Sequence, residues 1–158
     1  MVRSRIYSLT TLLVLLSIFS SCEQAEVISE SKVFDSQIWR RFDILEFDFT
    51  IENPDVTYDV MLLVEHTDNY YSDHLTTNVT FYMPGGSMRS RDYTFKLQND
   101  KLEWLGKLEN NTVSHIFPVI TEMKFPEAGN YKTRIESKMT KYNLENMKSI
   151  GLSIKPSK

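Results

Sequence analysis

From Leu45 onward the chain alternates apolar and polar side chains with a period of two: Leu45, Phe47, Phe49 and Ile51 are separated by Glu46, Asp48 and Thr50. That spacing puts the two sets on opposite faces of an extended segment and predicts a half-buried strand. Asn53-Pro54-Asp55 breaks it with turn-forming residues. The alternation resumes at Tyr58, Val60, Leu62 and Val64, now with Met61 and Leu63 on the other face, so this strand is expected to be covered on both sides. These first two strands are expected to form an antiparallel pair. A polar stretch, Thr67 to His74, precedes a strand carrying Thr77, Val79, Phe81 and Met83. Pro84-Gly85-Gly86 then predicts the turn of a hairpin whose second arm holds Tyr93, Phe95 and Leu97.

Further along, Val113 to Ile120 reads as a strand in which Pro118, having no N–H to donate, demands an edge or an end. Tyr131, Thr133, Ile135 and Ser137 alternate on the next strand, residues 140 to 149 read as irregular or a short helical turn, and Ile150, Leu152 and Ile154 close the series. About eight short strands, with no convincing amphipathic helix, predict an all-β chain folded as an antiparallel β-sandwich, Ig-like or jelly-roll-like, over residues 38–158.

The N-terminus follows other rules. Arg3 and Arg5 precede the apolar run Leu12 to Phe19, and Ser20 and Ser21 follow it. This is the layout of a secretory signal, residues 1–21, which does not belong to the fold. The single cysteine, Cys22, stands in Ile18-Phe19-Ser20-Ser21-Cys22, which resembles the lipobox of bacterial lipoproteins with Phe19 where Leu is usual. The resemblance implies acylation of Cys22 and a bacterial cell envelope protein held to a membrane by lipid, inner or outer not being distinguished. Residues 22–37 are polar and without periodicity and are expected to form a flexible tether.

With one cysteine in 158 residues, an intramolecular disulfide and a cysteine-rich zinc site are excluded. The formal net charge of −3 leaves no basic footprint for nucleic acid, and removal of residues 1–21 takes away two arginines and no acid. His66, Asp68, Asp73, His74 and His115 follow no recognised metal-ligand spacing and are read as solvated loop side chains. No metal or cofactor is expected. Gly85-Gly86-Ser87 offers a serine only at a hairpin tip, and Glu46 with Asp48 reads as the wet face of a sheet, so no enzymatic activity is expected. The ambiguous residues are the aromatics Trp39, Tyr70, Tyr71, Tyr82 and Trp104. Partly exposed aromatics suit protein interfaces and sugar platforms, and Tyr70, Tyr71 and Trp104 are the candidate interaction residues.

Taken in order, Trp39, Tyr58-Asp59-Val60, Asn69-Tyr70, Trp104-Leu105-Gly106, Phe125-Pro126 with Gly129 and Tyr131, Met139, and Ile150-Gly151-Leu152-Ser153-Ile154 resemble the GldH family of gliding-motility lipoproteins of the Bacteroidetes. Thr140 after Met139 and His74 before Leu75 depart from the family pattern, in which Arg and Asn are usual. The resemblance implies an envelope lipoprotein of the gliding apparatus, coupled to type IX secretion, with gliding or secretion envelope proteins as partners. The alternative on the residues themselves is a surface lipoprotein that binds carbohydrate for polysaccharide uptake. It requires at least two of the five named aromatics to present parallel, exposed faces in a groove.

Overall fold

The structure is a computed structural model and describes residues 26–158; the signal segment and Cys22 lie outside the described residues. The described chain contains eleven strands: β1 (Ile28–Val33), β2 (Ile38–Arg40), β3 (Leu45–Ile51), β4 (Thr57–Thr67), β5 (His74–Tyr82), β6 (Met88–Lys96), β7 (Lys107–Glu109), β8 (Thr112–Lys124), β9 (Gly129–Ser137), β10 (Asn143–Glu145) and β11 (Met147–Pro156). They form a five-stranded sheet in the order β1-β11-β4-β8-β7, a four-stranded sheet in the order β3-β9-β5-β6, and a two-stranded ribbon of β2 and β10. All pairings are antiparallel. This is the expected sandwich, with more strands than the apolar pattern shows.

The core lies between the sheets because a period-two strand can bury only one of its faces against the other layer. From the five-stranded sheet, Val60, Leu62 and Val64 of β4 sit opposite Ile154, Leu152 and Ile150 of β11, and all six are fully buried. From the other sheet come Phe47, Ile51, Leu75, Phe81, Tyr131 and Ile135, likewise buried. Each such side chain contributes about 1.5–3 kcal/mol of burial. Phe49, Phe125 and Tyr131 meet edge-on or stacked at 4.9–5.8 Å.

Two expectations are corrected. β3 and β4 do not pair: β3 lies beside β9 and β4 between β11 and β8, so the Asn53-Pro54-Asp55 turn crosses from one sheet to the other. Consecutive alternating strands look alike in sequence whether they are neighbours or face each other across a core. Nor is the described part of the expected tether, residues 26–37, without regular structure. Ile28–Val33 is an edge strand paired with β11 from Ile28 opposite Ile154 to Val33 opposite Ser149. Its Glu30 and Lys32 point to the rim of the core, where Lys32 lies over the Phe47 ring at 5.3 Å. Charges turned inward at an edge discourage pairing with a second chain, and they also erase the apolar period.

The irregular stretch 140–149 contains β10 and the start of β11. With β2 it folds over one end of the sandwich, where Trp39 and Leu144 are fully buried and Phe34 stacks on Trp39 at 5.9 Å. β7 joins β8 through Asn110 and Asn111, both left-handed (φ 46° and 63°), in the two-residue turn that such asparagines favour. β7 pairs only with residues 112–114, so Pro118 falls on the open edge of β8, as its missing donor requires.

At Gly151 a Cβ would lie 2.7 Å from the Glu30 carbonyl oxygen and would meet the Ser31 side chain. Gly151→Ala is expected to loosen β1 and destabilise the fold by about 1–3 kcal/mol, read by urea denaturation. Amide exchange should accelerate first in β1; exchange unchanged there would refute the close-approach account.

Candidate functional site

The inward face of β4 carries Tyr58, Val60, Leu62 and Val64 and ends in His66, which is fully buried. On β8 the same face presents Val113, His115 and Phe117, with His115 opposite Val64 and Val113 opposite His66. Register therefore makes the two histidines diagonal neighbours on one face, with Nε2 atoms 3.1 Å apart and rings 5.2 Å apart. Both are buried strand residues, which corrects their reading as solvated loop side chains. Asp68 and Asp73 are exposed in the β4–β5 loop, and His74, at the start of β5, is also exposed and bonded to Asp73 at 2.6 Å. Asp73 is held below its usual range by His74 and takes no part in the buried pair.

The protons of the pair follow from its partners. Nδ1 of His66 is 2.7 Å from the Thr67 carbonyl oxygen, which can only accept, so this nitrogen carries the hydrogen. The remaining lone pair of His66, on Nε2, accepts from Nε2–H of His115. Burial lowers both pKa values, for His115 to about 4, where the neighbouring His66 adds to the effect. The pair is neutral at ordinary pH. Among the described residues no three His, Cys, Asp or Glu side chains converge on a point suited to a metal ion.

Rings enclose the histidines. Trp104 lies 4.6 Å and Tyr70 5.1 Å from His66, measured between ring centres. On the other side His115 stacks on Phe117 at 5.1 Å, Phe117 on Phe95 at 4.8 Å, and Phe95 on Tyr93 at 6.0 Å. Trp104-Leu105-Gly106 is held to the loop after β6 by a Leu105 N–H bond to the Leu97 carbonyl at 2.8 Å. A Cβ on Gly106 would come within 2.8 Å of the His115 ring, so only glycine lets this loop close over it.

The candidate interaction residues separate. Tyr70 is buried, and its hydroxyl has no hydrogen-bond partner; burial drives its pKa above the usual range. Trp104 is half-buried against His66. Tyr71 remains 42% exposed, 5.0 Å from Tyr70, with Lys141 Nζ 3.9 Å from its ring centre. Trp39 is in the core, and Tyr82 stands on the outer face of the other sheet, bonded by Arg134 at 3.0 Å. These five rings do not line one groove, and the sugar-platform reading loses its basis.

Sequence reasoning missed Phe42, Ile44 and Tyr142, which are 73%, 43% and 57% exposed. Phe42 and Tyr142 meet edge-on at 5.9 Å where the ribbon joins the sandwich. An apolar residue in a polar stretch was the available signal, though it does not tell exposed from buried. Glu46 and Asp48 form ion pairs with Lys132 at 3.0 and 4.0 Å on the outer face of the four-stranded sheet, as expected of a wet surface. Gly85-Gly86-Ser87 forms the β5–β6 turn, with Gly86 at φ 81°. At the opposite end of the sandwich, a cleft of about 560 Å³ opens beside Val27, Val56, Tyr58 and Pro156, with Glu26 and Glu52 on its rim.

A family model described as GldH lipoprotein matches residues 26–154. The chain belongs to the GldH lipoprotein family. Members are lipid-anchored proteins of the cell envelope linked to gliding motility. A curated relative named gliding motility lipoprotein GldH homolog, from Christiangramia forsetii (strain DSM 17595 / CGMCC 1.15422 / KT0803), is 24% identical over 149 residues, covering 89% of this chain and 90% of its own. The match starts at Glu26, close to where β1 begins, so the family unit includes the edge strand.

The buried pair makes stability depend on pH. The unfolded chain protonates its histidines below about pH 6.5, whereas the folded protein resists until about pH 4 at His115, so this stabilisation is complete above 6.5 and is lost as pH falls towards 4. For His115 the linkage is worth about 3 kcal/mol. His115→Gln, which can still donate to His66 but cannot titrate, is expected to flatten the curve between about pH 6.5 and 4 in urea denaturation series. A variant curve parallel to that of the parent would refute it.

Proposed function

We propose that this protein is a non-enzymatic lipoprotein of the gliding apparatus, coupled to type IX secretion, that is anchored through acylated Cys22 and acts by binding other envelope proteins. The observation that carries the reading is the family match across the whole sandwich, from Glu26 to Ile154. The relative's name supports the link to gliding. The fold is consistent with a binding module. Its buried pair of titratable side chains, His66 with His115, has its facing nitrogens bonded to each other and is walled in by Trp104 and Tyr70.

Anchoring would hold the domain close to its membrane. Cys22 precedes Glu26 by four residues, a span of at most about 14 Å when fully extended. Several acyl chains on one cysteine give stable attachment, since each buried CH₂ contributes about 0.8 kcal/mol.

In the native bacterium, Cys22→Ala is expected to lose palmitate labelling and to leave the membrane fraction, and deletion of the whole protein to stop spreading on agar. A Cys22→Ala protein that stayed in the membrane fraction would overturn the anchor. Normal spreading of the deletion strain would overturn the link to gliding.

A further inference from the structure

The described chain enters the sandwich at one end, and a group of exposed apolar side chains, Phe42, Ile44, Tyr71 and Tyr142, lies at the other. Val27 N–H bonds the Ile154 carbonyl at 2.8 Å, placing the N-terminal entry beside the C-terminal end of β11 and the 52–56 turn. From there β4 runs eleven residues to His66 and Thr67, a rise of about 35 Å. At that far end the ribbon is bonded to the sandwich by Thr67 N–H to the Asn146 carbonyl and Met147 N–H to the Gln37 carbonyl.

The ribbon's flank carries Phe42, Ile44 and Tyr142, and Tyr71 from the β4–β5 loop extends the patch through Lys141. Two cations sit on these rings: Arg41 lies 6.0 Å from the centre of Phe42, and Lys141 3.9 Å from that of Tyr71. Neither forms an ion pair with a carboxylate among the described residues. Nearby Arg40 and Lys138 differ, being paired with Asp43 and Glu136, each at 3.7 Å. Exposed aromatic rings with an arginine are what protein interfaces enrich, and unpaired cations at the rim select a partner of opposite charge.

We propose that the patch formed by Phe42, Ile44, Tyr71 and Tyr142, rimmed by Arg41 and Lys141, is the docking surface for an envelope protein that presents apolar side chains flanked by carboxylates. This rests on the lipid-anchored reading above and adds to it the surface and the chemistry of its partner. With about 14 Å of reach at the N-terminus and a domain about 35 Å tall, the patch stands clear of the anchoring bilayer. Its occupant is therefore a protein that projects from the membrane, rather than the headgroups beneath. The buried Tyr70 stands behind Tyr71, their rings 5.0 Å apart.

The test uses the full-length protein in its native cells, with p-benzoylphenylalanine at position 142 and, as a control at the anchor end, at position 55. Illumination is expected to give a discrete protein adduct from 142 and not from 55, with the cross-linked peptide rich in carboxylates beside apolar residues. Arg41→Glu with Lys141→Glu should reduce the adduct about tenfold while leaving the protein's level and membrane fractionation unchanged. Adducts to lipid alone, the same adduct from both positions, or an adduct indifferent to the charge reversal would each overturn the docking surface. Loss of membrane fractionation in the parent protein would instead overturn the anchoring reading, so the two failures are told apart in the same samples.

Discussion

Everything else in this molecule depends on where its last strand goes. β11 enters the interior of the five-stranded sheet, with the first strand on one side and β4 on the other, and is buried on both faces. Its inner row of Ile150, Leu152 and Ile154 completes the core, while Gly151 on the other face admits the close approach of its neighbour β1. Until these final residues arrive, β1 has no strand to pair with and β4 lacks one of its two neighbours. Pairings so distant in sequence close large loops before they gain contacts, and such folds form slowly.

That closure also explains the polar pair in the core. Two sheets packed face to face leave an opening at each end. At the end away from the N-terminus the ribbon covers part of the opening with Trp39 and Leu144, and the loop carrying Trp104 covers the rest. His66 and His115 occupy the junction between these lids. Two imidazoles fill it because each can satisfy the other, one lone pair meeting one N–H, with the Thr67 carbonyl taking the remaining hydrogen of His66. An unpaired polar group there would cost about 1–3 kcal/mol, and a charged one more.

The two ends thus have different characters. One holds the N-terminal entry, the turns at 52–56 and 83–87, and a half-polar cleft. The other holds the histidine pair, the ribbon and an exposed aromatic rim. The exposed aromatic rim is thus separated from the N-terminal entry by the length of β4. The inward-turned Glu30 and Lys32 on the β1 edge meanwhile reduce unwanted strand pairing.

Alternating residues such as Leu45 to Ile51 and Tyr131 to Ser137 announced their strands and buried faces in the sequence alone, because a strand with one wet face writes its period directly into composition. Pro118 likewise declared its edge. The family, too, was legible from the order of its motifs. What the sequence could not determine was adjacency: that β3 and β4 lie in different sheets, that the polar segment 28–33 is a strand, and that His66 and His115, 49 residues apart, share a hydrogen bond. These depend on register between distant strands, and a local period is the same whichever neighbour a strand acquires. Exposure of Phe42 and Tyr142 and burial of Tyr70 were decided in the same way, by which element folds over them rather than by the residues themselves.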